Sequence, residues 1–367
     1  MAEGGSFNEY ALCDPEECRV VAIGRIGSGK SETGNSLLGK KAFSSHCSAR
    51  AVTESCRCDS ALRFGRRVVY IDTPGFFDIE KPKELIQQEI FKCIALSSPG
   101  PHAFLFITKV DRFTPEEKET IDLCEQLFGK EFYKHLVVVF THKTKLDKDE
   151  KSLQQFIAEA PSALQDIFKR NENVCIAIEN ESSPDKKEEQ MNKLFSLITN
   201  IVEKNEGKHF TNTAYVQMEE KLLKEEDTKR RSRAEQLAES IRQKKKSIKI
   251  NRRNAKDEMQ LLMGLISSLE ISQDEGAVEE AGAIQTKINQ SDADYQLLKQ
   301  DLRRLRHELQ RIDKESRECP KKPGLFRLDI RKMIEAKEGQ VVFKFLKDYG
   351  PVILKTLLPF FLRLLTR

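Results

Sequence analysis

The chain has 367 residues, 39% of them hydrophobic and 33% charged, with a formal net charge of +4. That length allows two or three domains, and the charge fraction points to a long solvated helical part beside a packed core. The small net charge gives no global attraction to nucleic acid or membrane. The nine cysteines include no C-x-x-C pair. Neither a disulfide framework nor a zinc site is supported, and reduced thiols in a cytosolic protein are expected. The start, Met1-Ala-Glu-Gly-Gly-Ser6, has no basic or apolar leader region, so no signal peptide is expected. Gly does not follow Met1, so N-myristoylation is not expected either.

Residues 1–17 read as a loose arm. An apolar run ending at Ile23 predicts a first strand over about 19–24. It leads into Gly24-Arg25-Ile26-Gly27-Ser28-Gly29-Lys30-Ser31 and a helix near 29–39, whose Glu32 is expected with the loop among the nucleotide-binding residues. This is the G-x-x-x-x-G-K-[ST] phosphate loop between a strand and a helix. Gly24 and Gly29 let the backbone turn tightly, and loop N–H groups and the helix N-terminus face an anion. Lys30 is expected on the β/γ-phosphates, with the Ser31 hydroxyl on Mg²⁺. Gly34, inside the helix, suggests close packing.

The polar stretch 40–54 contains Thr53, placed where a P-loop GTPase carries its first switch threonine, which contacts Mg²⁺ and the γ-phosphate. A strand over 67–72 then ends in Asp72-Thr73-Pro74-Gly75. Asp72 is expected behind Mg²⁺, through water, and the Gly75 N–H toward the γ-phosphate. Phe76 follows at the position where Ras-like enzymes carry a water-orienting glutamine. Phe cannot orient water, so hydrolysis is expected to be slow or completed by a group from elsewhere.

Helices are expected over 82–97, from 115, within 150–170 and over 186–204; strands over 103–108, 136–140 and 174–178. Thr114-Pro115-Glu116-Glu117 is a strong helix start. Strands alternating with helices predict an α/β fold, a mostly parallel sheet covered on both faces with the ligand at the carboxyl ends of the strands.

These stretches resemble the AIG1-type family of GTPases, the immunity-associated nucleotide-binding proteins. The resemblance rests on G-R-I-G-S-G-K-S-E-T-G-N-S-L-L-G (24–39), D-T-P-G-F-F-D (72–78) and the box L-S-S-P-G-P-H-A-F-L-F-I-T-K-V-D-R-F-T-P-E-E (96–117). It implies a Ras-like fold, binding of GTP and GDP with Mg²⁺, dimerisation through the nucleotide face, and self-assembly, often at membranes. Arg112 matches the box arginine. Across a face-to-face dimer it would act on the partner's nucleotide as a trans arginine finger; the alternative is a surface ion pair. The base-reading stretch resembles T-H-K-x-D, with His142 and Lys143 in place, but Lys145 stands where the carboxylate belongs and Asp147 lies two residues on. Glu179 and Asn180 match the place that supports the base. Asp111 stands where the family box usually has Gly. Guanine selection is therefore expected to be weaker than phosphate binding.

The GTPase domain is expected over 18–210, a heptad-patterned extension over 211–318, and an apolar, amphipathic tail over 319–367. The heptad positions include Leu237, Ile241 and Met259 before a break at 272–282, and Tyr295, Leu302 and Ile312 after it. They allow an antiparallel hairpin or a coiled coil shared between chains. Residues 242–256 hold eight basic side chains and no acid. Such a run is a solvated face, or it meets anionic lipid, a partner or an acidic part of the same protein. No aromatic interleaves it, so nucleic acid is not expected. The tail, interrupted by Lys355, Pro359 and Arg363, falls short of a spanning helix. It either lies in a membrane interface or packs on the protein. The whole reads as a GTP-binding switch, cytoplasmic or peripheral to a membrane; the alternative is a catalytically weak nucleotide-binding scaffold.

Overall fold

The computed structural model describes residues 16–44, 55–75, 83–172, 174–272, 275–318 and 327–336. Thr53, Phe76, Phe77 and the apolar tail beyond residue 336 lie outside them. The described residues form two compact units. One runs up to Leu222 and resumes at Leu328; the other spans Leu223–Arg327.

Six strands build one sheet in the first unit: β1 (Glu17–Ile23), β2 (Arg57–Arg63), β3 (Arg66–Asp72), β4 (Ala103–Lys109), β5 (Leu136–Thr141) and β6 (Cys175–Ala177). Their order is β2-β3-β1-β4-β5-β6. All neighbours are parallel except β2, which pairs antiparallel with β3. The mostly parallel sheet is as the sequence predicts. β2 was not expected: its half-exposed Arg57-Cys-Asp-Ser-Ala-Leu-Arg63 lacks the apolar run of a central strand, as suits an edge. β6 is shorter than the predicted 174–178.

Alternation along the strands divides the core. Val21, Ile23, Val69, Ile71, Phe104, Phe106, Val138 and Phe140 point to one face, under α2 (Lys83–Ser97) and α3 (Pro115–Phe128). Val20, Ala22, Val68, Tyr70, Leu105, Ile107, Val137 and Val139 point to the other, under α1 (Lys30–Leu38). Burial on both sides explains why these strands read as continuous apolar runs. The stretch 144–170 holds three short helices, α4 (Thr144–Lys148), α5 (Leu153–Ala158) and α6 (Ser162–Arg170); α7 (Pro184–Lys204) follows β6. The predicted start of α3 is a full capping box, with Thr114 and Glu117 bonding each other's backbone.

The core of this unit extends past residue 210, the boundary expected from sequence. Phe210, Ala214, Tyr215, Met218 and Leu222 belong to it, the last four at the root of the long helix α8 (Thr213–Ser272). Loop 97–102 of the box holds that root. Ser97 Oγ is 2.8 Å from Tyr215 OH, and Ser98 Oγ donates to Glu219 Oε2 at 2.7 Å. A Cβ on Gly100 would lie 1.8 Å from Phe210 O. The expected tail domain also changes character: α10 (Arg327–Ala336) sends Ile330 and Ile334 into the same core. Arg331, 1% exposed, pairs with both carboxylate oxygens of Glu17 and reaches Ser98 O. Arg19 contacts Glu17 too. Burial raises the Glu17 pKa, but the guanidiniums of Arg331 and Arg19 outweigh it and lower it to about 2.

The second unit holds most of α8 and all of α9 (Glu275–Glu318). The helices meet in antiparallel order: Arg233 with Glu308, Lys244 with Asp301, and Arg252 over the Tyr295 ring. This is the hairpin alternative. The expected break at 272–282 is shorter, since Gly276 and Gly282 lie within α9. Leu237, Ile241, Leu302 and Ile312 are buried as the heptads predict, whereas Met259 is 46% exposed. No helix among the described residues is long and apolar enough to cross a membrane.

Candidate functional site

The phosphate-loop residues gather at the carboxyl end of β1, between the ends of β3 and β4. Gly24, Gly27 and Gly29 have φ of +141°, +73° and +99°. At Gly24 the space also matters: a Cβ would lie 2.2 Å from Ile107 O of β4. The loop can run here only because that residue has no side chain. Lys30 is buried, and its Nζ donates to Gly24 O at 3.0 Å and Arg25 O at 2.8 Å. The ammonium thus sits inside the curl of the loop. Arg25 extends outward to Thr114 Oγ1 at 3.2 Å. Ile26, 43% exposed, packs close to Gly75, where a Cβ would come within 2.9 Å of it. Gly34 shows the close packing expected of it, since a Cβ there would meet the Tyr70 ring at 2.4 Å.

Ser31 Oγ donates to Asp72 Oδ2 at 2.7 Å. Asp72 is 1% exposed at the end of β3. A hydroxyl and a carboxylate side by side are hard oxygen donors of the kind Mg²⁺ takes, usually with several waters. Ser28 Oγ and Asn180 Oδ1 are buried polar atoms with no hydrogen-bond partner among the described residues. Both lie beside the loop, Asn180 through its Nδ2, which would be 3.2 Å from a Cβ on Gly29. These features fit a phosphate and Mg²⁺ site. The Glu32 carboxylate points elsewhere, to Lys187 of α7 at 3.7 Å.

Sequence reasoning missed three supports of this loop. Thr141 Oγ1 donates to Ser28 O at 2.9 Å, Tyr70 OH to Lys30 O at 2.7 Å, and Thr73 Oγ1 to Ala22 O at 2.6 Å. Each stands at or near the carboxyl end of a strand. That placement is the one signal that could have found them, because a hydroxyl there points into the loops.

The base-side residues follow β5 and β6. His142 has φ +62°, and its Nδ1 is 3.1 Å from Thr141 Oγ1. Lys143 N donates to Ile178 O at 3.1 Å, tying the ends of the two strands together. Glu179 Oε2 accepts from Thr144 N at 3.1 Å and Thr144 Oγ1 at 2.8 Å. Partial burial raises the Glu179 pKa, but the bonds from Thr144 and from Glu181 N outweigh it and hold the carboxyl below its usual range. Lys145 Nζ meets Asp111 Oδ2 at 2.7 Å, and Asp147 meets Lys143 at 3.6 Å. Arg112 is exposed; its amide donates to Asp111 Oδ1 at 2.9 Å, and its guanidinium makes no ion pair among the described residues.

The sequence pattern of the AIG1 family matches residues 18–230. Immune-associated nucleotide-binding protein 9 of Arabidopsis thaliana is 33% identical over 225 residues, 60% of this chain and 66% of that protein. Human GTPase IMAP family member 8 is 34% identical over 200 residues, 54% of this chain and 30% of that protein. Among solved structures, Toc33 from Arabidopsis thaliana in complex with GDP and Mg²⁺ aligns over 51% of this chain and 85% of its own, with 20% identity and a TM-score of 0.39. With the phosphate loop, the Asp72 strand end and the box all in place within the matched residues, the chain belongs to the AIG1 family.

Proposed function

We propose that this chain is a GTP-binding switch that dimerises through its nucleotide face, hydrolyses GTP slowly on its own and faster in the dimer, and passes the change to its helical extension. The observation that carries the reading is the curl of Gly24–Ser31 around the Lys30 ammonium, with Ser31 against Asp72. The reaction is phosphoryl transfer from GTP to water, giving GDP and phosphate. Loop amides and Lys30 hold the phosphates. Ser31 and Thr53 would hold Mg²⁺, with Asp72 as a supporting carboxylate. Bound Mg²⁺ supplies charge neutralisation at the phosphate oxygens. His142, Lys143, Glu179 and Asn180 frame the base. Arg112, exposed and unpaired among the described residues, is presented to a facing copy as a finger in trans. Such a group raises phosphoryl-transfer rates by roughly 10³–10⁵. A cytoplasmic protein that visits a membrane surface, with a role in immune defence, completes the proposal.

A second reading, a nucleotide-holding scaffold with little turnover, is favoured by Lys145 at the base-reading position and by Phe76. Binding of GTP, GDP and ATP, together with turnover measured against protein concentration, separates the two. The switch predicts specific activity that rises with concentration and loses the rise in Arg112→Ala. Tight binding with flat, negligible turnover selects the scaffold, and no nucleotide binding overturns both.

A further inference from the structure

The basic run in α8 is used by none of the chemistry above, and its geometry is specific. At 100° per residue, Arg242, Lys245, Lys246, Lys249, Arg252, Arg253 and Lys256 fall within an arc of about 120°, a stripe about 21 Å long. All seven are exposed, Arg252 standing at the edge of the arc where it also lies over the Tyr295 ring. The neighbouring acids are largely committed or marginal: Asp301 pairs with Lys244 on the side facing α9, Glu239 pairs with Arg242, and Asp257 stands at the edge of the stripe. The same face continues into Met263, 63% exposed, while Met259 and Ile250 flank it at 46% and 58%.

We infer that this stripe is a lipid-contacting surface, its basic residues lying on anionic headgroups and its exposed methionines entering the headgroup boundary. A straight row of single-sign charge matches a planar anionic surface better than a compact anion. The adjoining apolar side chains suit shallow insertion. No aromatic residue lies between 242 and 264, so the stacking that a nucleic-acid strand would use is missing. The inference deepens the membrane-surface reading above and rests on it for the kind of partner, while assigning the contact to α8 instead of the C-terminal tail.

The test is flotation of the full chain with phosphatidylcholine vesicles, with or without about one third phosphatidylserine. The wild-type chain is expected to float with the anionic vesicles alone and to be released by salt, as screening shortens from about 10 Å at 0.1 M to 3 Å at 1 M. Each basic residue near such a surface contributes about fivefold, so Lys245→Gln/Lys246→Gln/Lys249→Gln/Arg253→Gln should lose roughly 600-fold. The matching variant with the three lysines changed to arginine should bind like wild type. Helicity by circular dichroism and GTP binding check that both variants fold. Unchanged binding by the glutamine variant, or equal binding to neutral vesicles, overturns the stripe and leaves the membrane reading standing. Wild type floating with neither vesicle overturns both, as does capture by RNA or an acidic polypeptide in place of vesicles.

Discussion

Lys145 Nζ stands 2.7 Å from Asp111 Oδ2, so the two positions at which this chain departs from the pattern it resembles are in contact. An ammonium has replaced the carboxylate of the base-reading stretch, and a carboxylate has replaced the glycine of the box. The hydrogen bond from Lys145 and the Arg112 amide hold the Asp111 carboxyl below its usual range. The charges are satisfied by each other instead of by a base edge. Because both side chains are exposed, the pair adds little stability, about 0.2–1 kcal/mol. On the nucleotide-binding reading proposed above, the expected consequence is weaker base selection. Lys145→Asp with Asp111→Gly restores a carboxylate acceptor. The preference for GTP over ATP should then rise by about tenfold or more, as expected for a hydrogen bond to a charged group. Competition titrations with the two nucleotides measure the ratio; an unchanged ratio would remove Lys145 from base recognition.

His102 gives the first unit an acid-sensitive joint. Its Nδ1 accepts the Arg19 amide hydrogen at 2.9 Å, and the His102 carbonyl faces His135 Nδ1 at 3.1 Å. Burial first, and the Arg19 charge second, lower the His102 pKa to about 2. His135 and His209 are lowered too, mainly by burial. Groups whose folded pKa lies below the unfolded value near 6.5 stabilise at higher pH, and that contribution is lost as pH falls through 6.5 toward the folded value. A fully shielded histidine loses about 2 kcal/mol between pH 7 and pH 5. Urea midpoints should fall over that window. In His102→Asn, whose Oδ1 can take the same hydrogen, the slope should be shallower. A parallel slope would exclude His102 as a source.

Gly100 has φ +153° and a Cβ position 1.8 Å from Phe210 O. Gly100→Ala forces loop 97–102 and the chain entering α8 apart, at a cost of at least about 1–3 kcal/mol. Gly65 has positive φ but nothing within 4 Å of its Cβ position. Gly65→Ala should lose only about 1 kcal/mol, from backbone conformation. Comparing the two in denaturant isolates the contact; equal losses would mean the close approach is not maintained in solution.

Arg331→Met should destabilise by about 3–5 kcal/mol, because it strips a partner from a largely buried carboxylate. Adding Glu17→Gln should recover part of the loss by removing the stranded charge. The pair also sets a second acid limit: with Glu17 lowered to about 2, its contribution is present above the ordinary carboxylate range and fades as pH falls toward 2. Denaturation of the single and double variants at neutral pH checks the coupling; strict additivity would refute it.

Much of this site is legible in the sequence because each motif residue sits next to an apolar strand whose end fixes its place. Gly24, Ser31 and Asp72 are of that kind. Thr141 and Tyr70 are not, since what matters about them is a hydroxyl aimed at a carbonyl more than 30 residues away in the chain. β2 escaped because an edge strand needs no apolar run. α10 escaped because what buries it is Ile330, Ile334 and two buried arginines, Arg327 and Arg331, a signal too short for periodicity to register. The heptads located both long helices, yet Met259, on the same helix face as the buried Ile241, is 46% exposed, because a/d spacing alone does not fix how much of a seam a partner helix covers.

The box spans one strand with an anchor at each end. At its start, loop 97–102 grips the root of α8 through Ser97, Ser98 and Gly100. At its finish, β4 delivers Asp111 and Arg112. Seven residues of strand, about 20 Å, separate them, with β1 and β5 hydrogen-bonded on either side. Tension applied to the α8 root therefore loads β4 along its length, with little slack to absorb it. The strand is a tie-rod, and the exposed Arg112 is mounted on its far end.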